Sequence, residues 1–120
     1  MKRSFTAIAF LILGVAALLM AAAEPSGNIS ASPNPCTITK GQKMCTTYLS
    51  WSTENVRHAR VYVIAHGTKG REENLFSGAR SCQRCPAPWI EKGPYTFRLY
   101  DYSNGNRGKN LAAVSVTGNQ

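Results

Sequence analysis

Alternation of apolar and polar side chains is the clearest pattern in this chain, and it is strictest over residues 94–101. Phe97 and Leu99 fall on one face of an extended segment there, while Arg98 and Tyr100 fall on the other. A period of two residues with aromatic and β-branched content is the signature of a half-buried strand. The pattern therefore predicts a central strand around which the rest of the chain is arranged.

The same period recurs in short segments separated by turn residues. The predicted strands are residues 27–32, 36–39, 46–52, 59–65, 74–77, 94–101 and 112–117. Turns are predicted at Lys40-Gly41, over residues 66–73 and over residues 103–108, because glycine and asparagine tolerate positive φ. The sequence over residues 80–88 predicts an irregular loop. About seven short strands without a helical pattern predict an all-β fold, an antiparallel β-sandwich.

The first 23 residues have the composition of an export signal. Lys2 and Arg3 precede an apolar run over residues 8–20, and three alanines before Glu24 form a cleavage site. This layout predicts a secretory signal peptide over residues 1–23. The alternative is an uncleaved anchor, since residues 6–23 just reach the ~17–25 residues that a membrane span needs. Export places the mature chain in the periplasm or the medium.

The mature chain, residues 24–120, is long enough for one domain. It retains twelve basic and six acidic residues, a net charge of +6. Such a surface suits either a plain soluble exported protein or one that attracts anionic polymers, such as acidic polysaccharide or lipopolysaccharide. Nucleic acid is not expected as a partner, because the chain is exported and carries no nucleic-acid motif. Contact with a membrane is expected only through an uncleaved leader.

All four cysteines lie in the exported part, and an even count in an oxidising compartment implies disulfides. Three pairings are possible. Cys36 and Cys45 flank a tight reversal, which favours a Cys36–Cys45 bridge and leaves Cys82–Cys85 as a short ring. A redox pair at Cys82 and Cys85 would need a helix after it, which the following prolines oppose. A zinc site is also disfavoured, since eight residues separate the first pair.

Several runs occur in an order that resembles bacterial immunoglobulin-like or fibronectin-III-like modules of secreted and cell-surface proteins, often found beside carbohydrate-active enzymes. The runs are SPNPC at 32–36, LSWST at 49–53, LFSG at 75–78, PWI at 88–90, YTFRLY at 95–100 and VSVTG at 114–118. The resemblance implies an immunoglobulin-like sandwich with a strand-linking disulfide at Cys36 and Cys45. It implies a spacer, a stabiliser or a binding unit as function. The Cys82-Gln83-Arg84-Cys85 segment departs from the usual pattern, and this chain carries the module alone.

No catalytic constellation is predicted. The acidic residues of the mature chain fall in predicted loops, turns or strand ends, without paired spacing on a strand face. His58 and His66 lie at opposite ends of the strand over residues 59–65, too far apart to share a metal within it. We therefore expect a protein that is not an enzyme and has no metal or cofactor.

A binding surface is the better hypothesis. If strands 59–65 and 94–101 are neighbours, as in an immunoglobulin-like order, then Arg60, Tyr62, Arg98 and Tyr100 share an outward face. Tyrosines could stack on sugars and arginines could pair with anionic groups, with Trp89 as a possible rim residue. The alternative is that these are ordinary exposed strand residues. The two functional hypotheses are glycan or envelope-polymer binding, and a structural or protein-interaction role through an edge strand or this face.

Overall fold

The computed structural model describes residues 23–66 and 72–120. The predicted signal peptide lies outside this range except for Ala23, and so do residues 67–71 of the predicted turn. The strands are β1 (Ser26–Ser32), β2 (Cys36–Thr37), β3 (Cys45–Glu54), β4 (Ala59–Ala65), β5 (Asn74–Ser77), β6 (Cys82–Ile90), β7 (Gly93–Asp101) and β8 (Asn110–Asn119). Among the described residues, no helix has the length and apolar character needed to cross a membrane.

The strands form two sheets. A three-stranded sheet has the order β1-β3-β6, and a five-stranded sheet has the order β2-β8-β7-β4-β5. All strand pairs are antiparallel except β2 with β8, where Cys36 pairs with Gly118 in parallel register. Strand β7 pairs with β4 on one side and with β8 on the other, so the predicted central strand lies in the middle of the five-stranded sheet.

The two sheets pack face to face through the apolar side of each alternating strand. Leu49 and Trp51 of β3 meet Phe97 and Leu99 of β7 in one core, and Leu49, Phe97 and Leu99 are fully buried. In β3, the period of two buries Thr47 as well, and its hydroxyl donates a hydrogen bond to the carbonyl of Pro33 at 2.8 Å. The prediction of an all-β sandwich is confirmed.

The prediction of an irregular loop over residues 80–88 is wrong, because Cys82–Ile90 forms strand β6. Its ladder with β3 shifts register twice, so that three steps along β6 face two along β3 at each shift. Such bulges break the period of two and hide a strand from pattern analysis. Pro86 and Pro88 lie on this sheet edge, the position in a sheet where proline is tolerated.

Both disulfides form, which confirms the favoured pairing. Cys36–Cys45 joins β2 to the start of β3 and thereby links the two sheets, with Cα atoms 5.9 Å apart. Cys82–Cys85 spans the first bulge of β6, with Cα atoms 6.2 Å apart. The second bridge therefore lies within a strand, whereas the sequence predicted it within a loop.

Candidate functional site

Four of the five predicted binding residues come together on the outer face of the five-stranded sheet. The register between β4 and β7 sets Arg60 opposite Tyr100 and Tyr62 opposite Arg98. Arginine and tyrosine thus alternate both along and across the two strands. The prediction that these strands are neighbours, made from an immunoglobulin-like order, is confirmed.

The connection from β7 to β8 folds back and adds two residues to this surface. Tyr102 is buried beside β4, where its backbone nitrogen donates to the carbonyl of His58 at 2.8 Å. Arg107 places its guanidinium 4.3 Å from the ring centre of Tyr100 and 4.7 Å from that of Tyr62. We define the Tyr/Arg face as a set of six residues on this side of the sheet. They are Arg60, Tyr62, Arg98, Tyr100, Tyr102 and Arg107.

The tyrosine rings of this face are covered by guanidinium groups. Arg60 lies 4.5 Å from the ring centre of Tyr102, and Arg107 covers Tyr100, which keeps only 8% of its surface exposed. Cation–π attraction of about 0.5–1 kcal/mol at each such contact favours this arrangement. The face therefore presents charged planar groups to a ligand, and a sugar could stack on Tyr100 only after displacing Arg107.

Glu73, immediately before β5, is the acidic partner of this face. Its Oε1 accepts from Arg98 Nη1 at 2.6 Å and from the Tyr100 hydroxyl at 3.3 Å. Its Oε2 lies 2.9 Å from Arg107 Nη2 without hydrogen-bond geometry, so that contact rests on charge alone. Among the described residues, Arg60 forms no ion pair with a carboxylate. Glu73 thus pairs with Arg98 and Arg107 but not with Arg60.

Arg60 borders an open groove of about 450 Å³. The groove is lined by His58, Ala59, Arg60, Leu75, Gly78, Tyr102 and Gly105. Arg60 donates from Nη1 to the Tyr62 hydroxyl at 3.3 Å, and the Tyr102 hydroxyl donates to the same oxygen at 3.1 Å. These two donors lower the pKa of Tyr62, with the Tyr102 hydrogen bond as the larger cause. The exposed guanidinium of Arg60 is the part of the Tyr/Arg face best placed for an anion.

Trp89, the fifth predicted residue, lies elsewhere. It belongs to β6 in the other sheet, and its ring stacks on Phe97 with centres 6.0 Å apart and planes at 29°. Trp89 lines a separate cavity of about 470 Å³ between the edges of the two sheets. The structure does not bring it to the Tyr/Arg face, and it is half-buried rather than free on a rim.

The histidines and acidic residues that the structure describes form no group of three or more suited to a metal ion. His58 is exposed before β4, and His66 follows that strand, where its Nε2 hydrogen-bonds with Thr96 Oγ1 at 2.5 Å. The two histidines lie at opposite ends of β4, as predicted.

The sequence pattern missed three residues of this site. Tyr102 could have been found, because it continues the outward positions of Arg98 and Tyr100 by one more step of two. Arg107 and Glu73 come from connections, where no period gives the direction of a side chain.

Comparison with models of known protein families gives no match, and comparison with individual curated proteins gives none at a significant level. The resemblance to immunoglobulin-like modules therefore stays a prediction. Function has to be inferred from the geometry of the Tyr/Arg face.

Proposed function

We propose that this chain is an exported, non-enzymatic β-sandwich of immunoglobulin-like topology that binds an anionic polysaccharide or another anionic polymer of the cell envelope. The strand orders β1-β3-β6 and β8-β7-β4-β5 support the topology, since they correspond to the A-B-E and G-F-C-C′ orders of such domains. Two disulfides are typical of oxidising compartments and support a secreted or periplasmic location.

The observation that carries the proposal is the excess of fixed guanidinium groups on the Tyr/Arg face. Of its three arginines, Arg98 and Arg107 pair with the carboxylate of Glu73, whereas Arg60 pairs with none among the described residues. A guanidinium is planar, always charged and weakly hydrated, and its donors match the oxygens of carboxylate, sulfate or phosphate groups. Repeated acidic groups along a polymer are the ligand that such a row of donors fits.

Stacking on tyrosine also makes the site selective relative to the rest of the basic surface. A free arginine loses roughly 0.5–1.5 kcal/mol of side-chain entropy when a ligand immobilises it. Arg60 and Arg107 are already held over tyrosine rings at 4.3–4.7 Å. They therefore lose less side-chain entropy on binding than the scattered surface lysines do. An anion should bind more tightly at the Tyr/Arg face than at those lysines.

The test compares two single variants that lose the same charge. Arg60→Gln removes a guanidinium from the Tyr/Arg face. Arg84→Gln removes one that lies 4.6 Å from the ring centre of Tyr48 on the three-stranded sheet. We expect Arg60→Gln to weaken binding to polygalacturonate about three- to tenfold at physiological salt. Arg84→Gln should leave that binding unchanged. Equal losses in both variants, or equal binding to a neutral glucan, would refute the proposal.

A structural or protein-interaction role is the second candidate. β5 is a four-residue edge of the five-stranded sheet and carries Leu75, which is 56% exposed. Exposed edges with apolar side chains pair with strands of other chains. Analytical ultracentrifugation of the oxidised mature chain and of Leu75→Lys tests this role. Association that the lysine abolishes supports it, and a monomer at all concentrations removes self-pairing from consideration.

A further inference from the structure

We infer that the cavity lined by Trp89 takes an alkyl chain, so that the ligand is an anionic amphiphile. Its acidic head group would lie on Arg60 and its chain between the two sheets. The head-group half of this inference rests on the proposed function, whereas the alkyl half rests on the cavity alone. The two halves can fail separately.

The walls of the cavity are suited to an apolar ligand. The lining residues are Val63, Ala65, Asn74, Leu75, Phe76, Trp89 and Tyr95. Three of the side chains are aliphatic and three are aromatic, with Asn74 the one purely polar member. Its volume of about 470 Å³ falls within the roughly 300–1,000 Å³ of small-molecule sites, which are likewise mostly apolar.

The cavity is held open by the core. Trp89 stacks on Phe97, and Phe76 meets both rings edge-on at 6.2 Å and 5.3 Å between centres. Phe97 is fully buried and anchors this aromatic cluster. The position of the cavity follows from the topology, because β5 and β6 are the edges of different sheets and do not pair with each other. A site held in this way loses little order when a chain enters.

Leu75 connects the cavity with the Tyr/Arg face. It lines both the cavity and the groove beside Arg60, and it is an exposed apolar residue at a site where polar residues are the norm. A chain that leaves the cavity therefore passes Leu75 before its head group reaches the guanidinium. Charge complementarity at one end and apolar walls at the other together fit an amphiphile better than a purely polar sugar.

The experiment is a chain-length series on the unaltered mature protein, measured by calorimetry below the micelle concentration. The probes are ethyl, hexyl, octyl and decyl sulfate. Each methylene that enters the cavity should strengthen binding about three- to fourfold, so octyl sulfate should bind roughly tenfold or more tightly than hexyl sulfate. The gain should stop once the cavity is full. Equal affinity across the series would overturn the alkyl inference.

Two variants locate the chain. Ala65→Leu fills part of the cavity with a larger side chain, and Leu75→Asn replaces the exposed apolar side chain between the cavity and the groove with a polar one. Both variants should reduce the gain in affinity with each added methylene. Met44→Asn is the matched control, since Met44 is a comparably exposed apolar residue, 45% against 56%, in the connection before β3. A chain-length gain that survives both cavity variants would place the alkyl group elsewhere and overturn the inference.

Arg60→Gln separates the two proposals. It should weaken the binding of every alkyl sulfate by a similar factor and leave the gain in affinity per methylene unchanged. A normal gain with no effect of Arg60→Gln would retain the cavity and refute anion binding at Arg60. A flat series with a clear effect of Arg60→Gln would retain anion binding and overturn the alkyl site. Octyl maltoside, which has a neutral head group, should show the gain from the chain without any effect of Arg60→Gln.

Discussion

Tyr62 is the residue on which the contacts of the Tyr/Arg face converge. Its hydroxyl oxygen accepts from Tyr102 and from Arg60, and its ring contacts those of Tyr100 and Tyr102 at 6.0 and 6.2 Å between centres. Both donors favour the phenolate, so the pKa of Tyr62 lies below the ordinary value of about 10. The hydroxyl is therefore a reporter of the state of the face.

The first prediction concerns this ionisation. A titration of tyrosine absorbance should show an early step that Tyr62→Phe removes and Tyr102→Phe moves toward the ordinary pKa. Because the folded-state pKa is lowered, the linked stability is fully present above the unfolded value of about 10. It is lost as pH falls through the folded value and is absent at neutral pH. Arg84→Gln should not move the step. An early step that remains in Tyr62→Phe would contradict the assignment.

The second prediction concerns Glu73. Its carboxylate holds Arg98 and Arg107, whose side chains are 37% and 44% exposed. Glu73→Gln should release both guanidinium groups and raise affinity for polygalacturonate about two- to fivefold, while lowering the free energy of unfolding by about 1 kcal/mol. Glu72→Gln is the control, because it changes the same charge at the exposed neighbouring position. Equal gains in both variants would attribute the effect to net charge.

At the scale of elements, the two disulfides have different roles. Cys36–Cys45 links the two sheets and closes a loop with a sequence separation of 9, while Cys82–Cys85 closes one of 3 within a single edge strand. Loop-closure entropy assigns about 2.5 kcal/mol to the first and about 1.5 kcal/mol to the second. The first bridge also lies in the core, since Cys36 and Cys45 are both buried.

The third prediction compares the bridges directly. Urea unfolding of the variant with Cys36→Ala and Cys45→Ala should show a loss of at least 2 kcal/mol, from lost closure entropy and lost packing. The variant with Cys82→Ala and Cys85→Ala should lose less and keep its fold. A larger loss from the second pair would mean that the bulge of β6 stabilises the sandwich more than the link between the sheets does.

Elements with an undisturbed period of two were predictable, and β6 was not. The strand 59–65 was predicted with the bounds of β4, because each inward position from Ala59 to Val63 is apolar and buried. In β6, two bulges shift the alternation, and Pro86 and Pro88 resemble loop residues until the neighbouring strand is known. The residues of the candidate site divide in the same way into predictable and unpredictable ones. Arg60 and Tyr62 follow from β4, whereas Glu73 and Arg107 depend on how connections fold over the sheet.

At the scale of the whole molecule, the two outer surfaces of the sandwich carry similar contacts in different numbers. The three-stranded sheet has one arginine over one tyrosine, Arg84 over Tyr48 at 4.6 Å. The five-stranded sheet has two arginines in three such contacts, together with Arg98 and one carboxylate. The molecule is therefore asymmetric in charge arrangement as well as basic overall, and these two properties predict different binding behaviour.

The last prediction separates arrangement from net charge. Replacing Lys40, Lys43 and Lys92 with glutamine removes three exposed charges that do not belong to the Tyr/Arg face and leaves the residues of that face unchanged. If the face is the site, this triple variant should lose less affinity for polygalacturonate at physiological salt than Arg60→Gln, which removes one charge. At low salt the difference between the affinity losses of the two variants should become smaller or change sign. The reason is that a Debye length of roughly 30 Å at 0.01 M lets charges on the whole surface contribute, against about 8 Å at physiological salt. A larger loss in the lysine variant at both salt concentrations would show that the polymer responds to total charge and not to the stacked arginines.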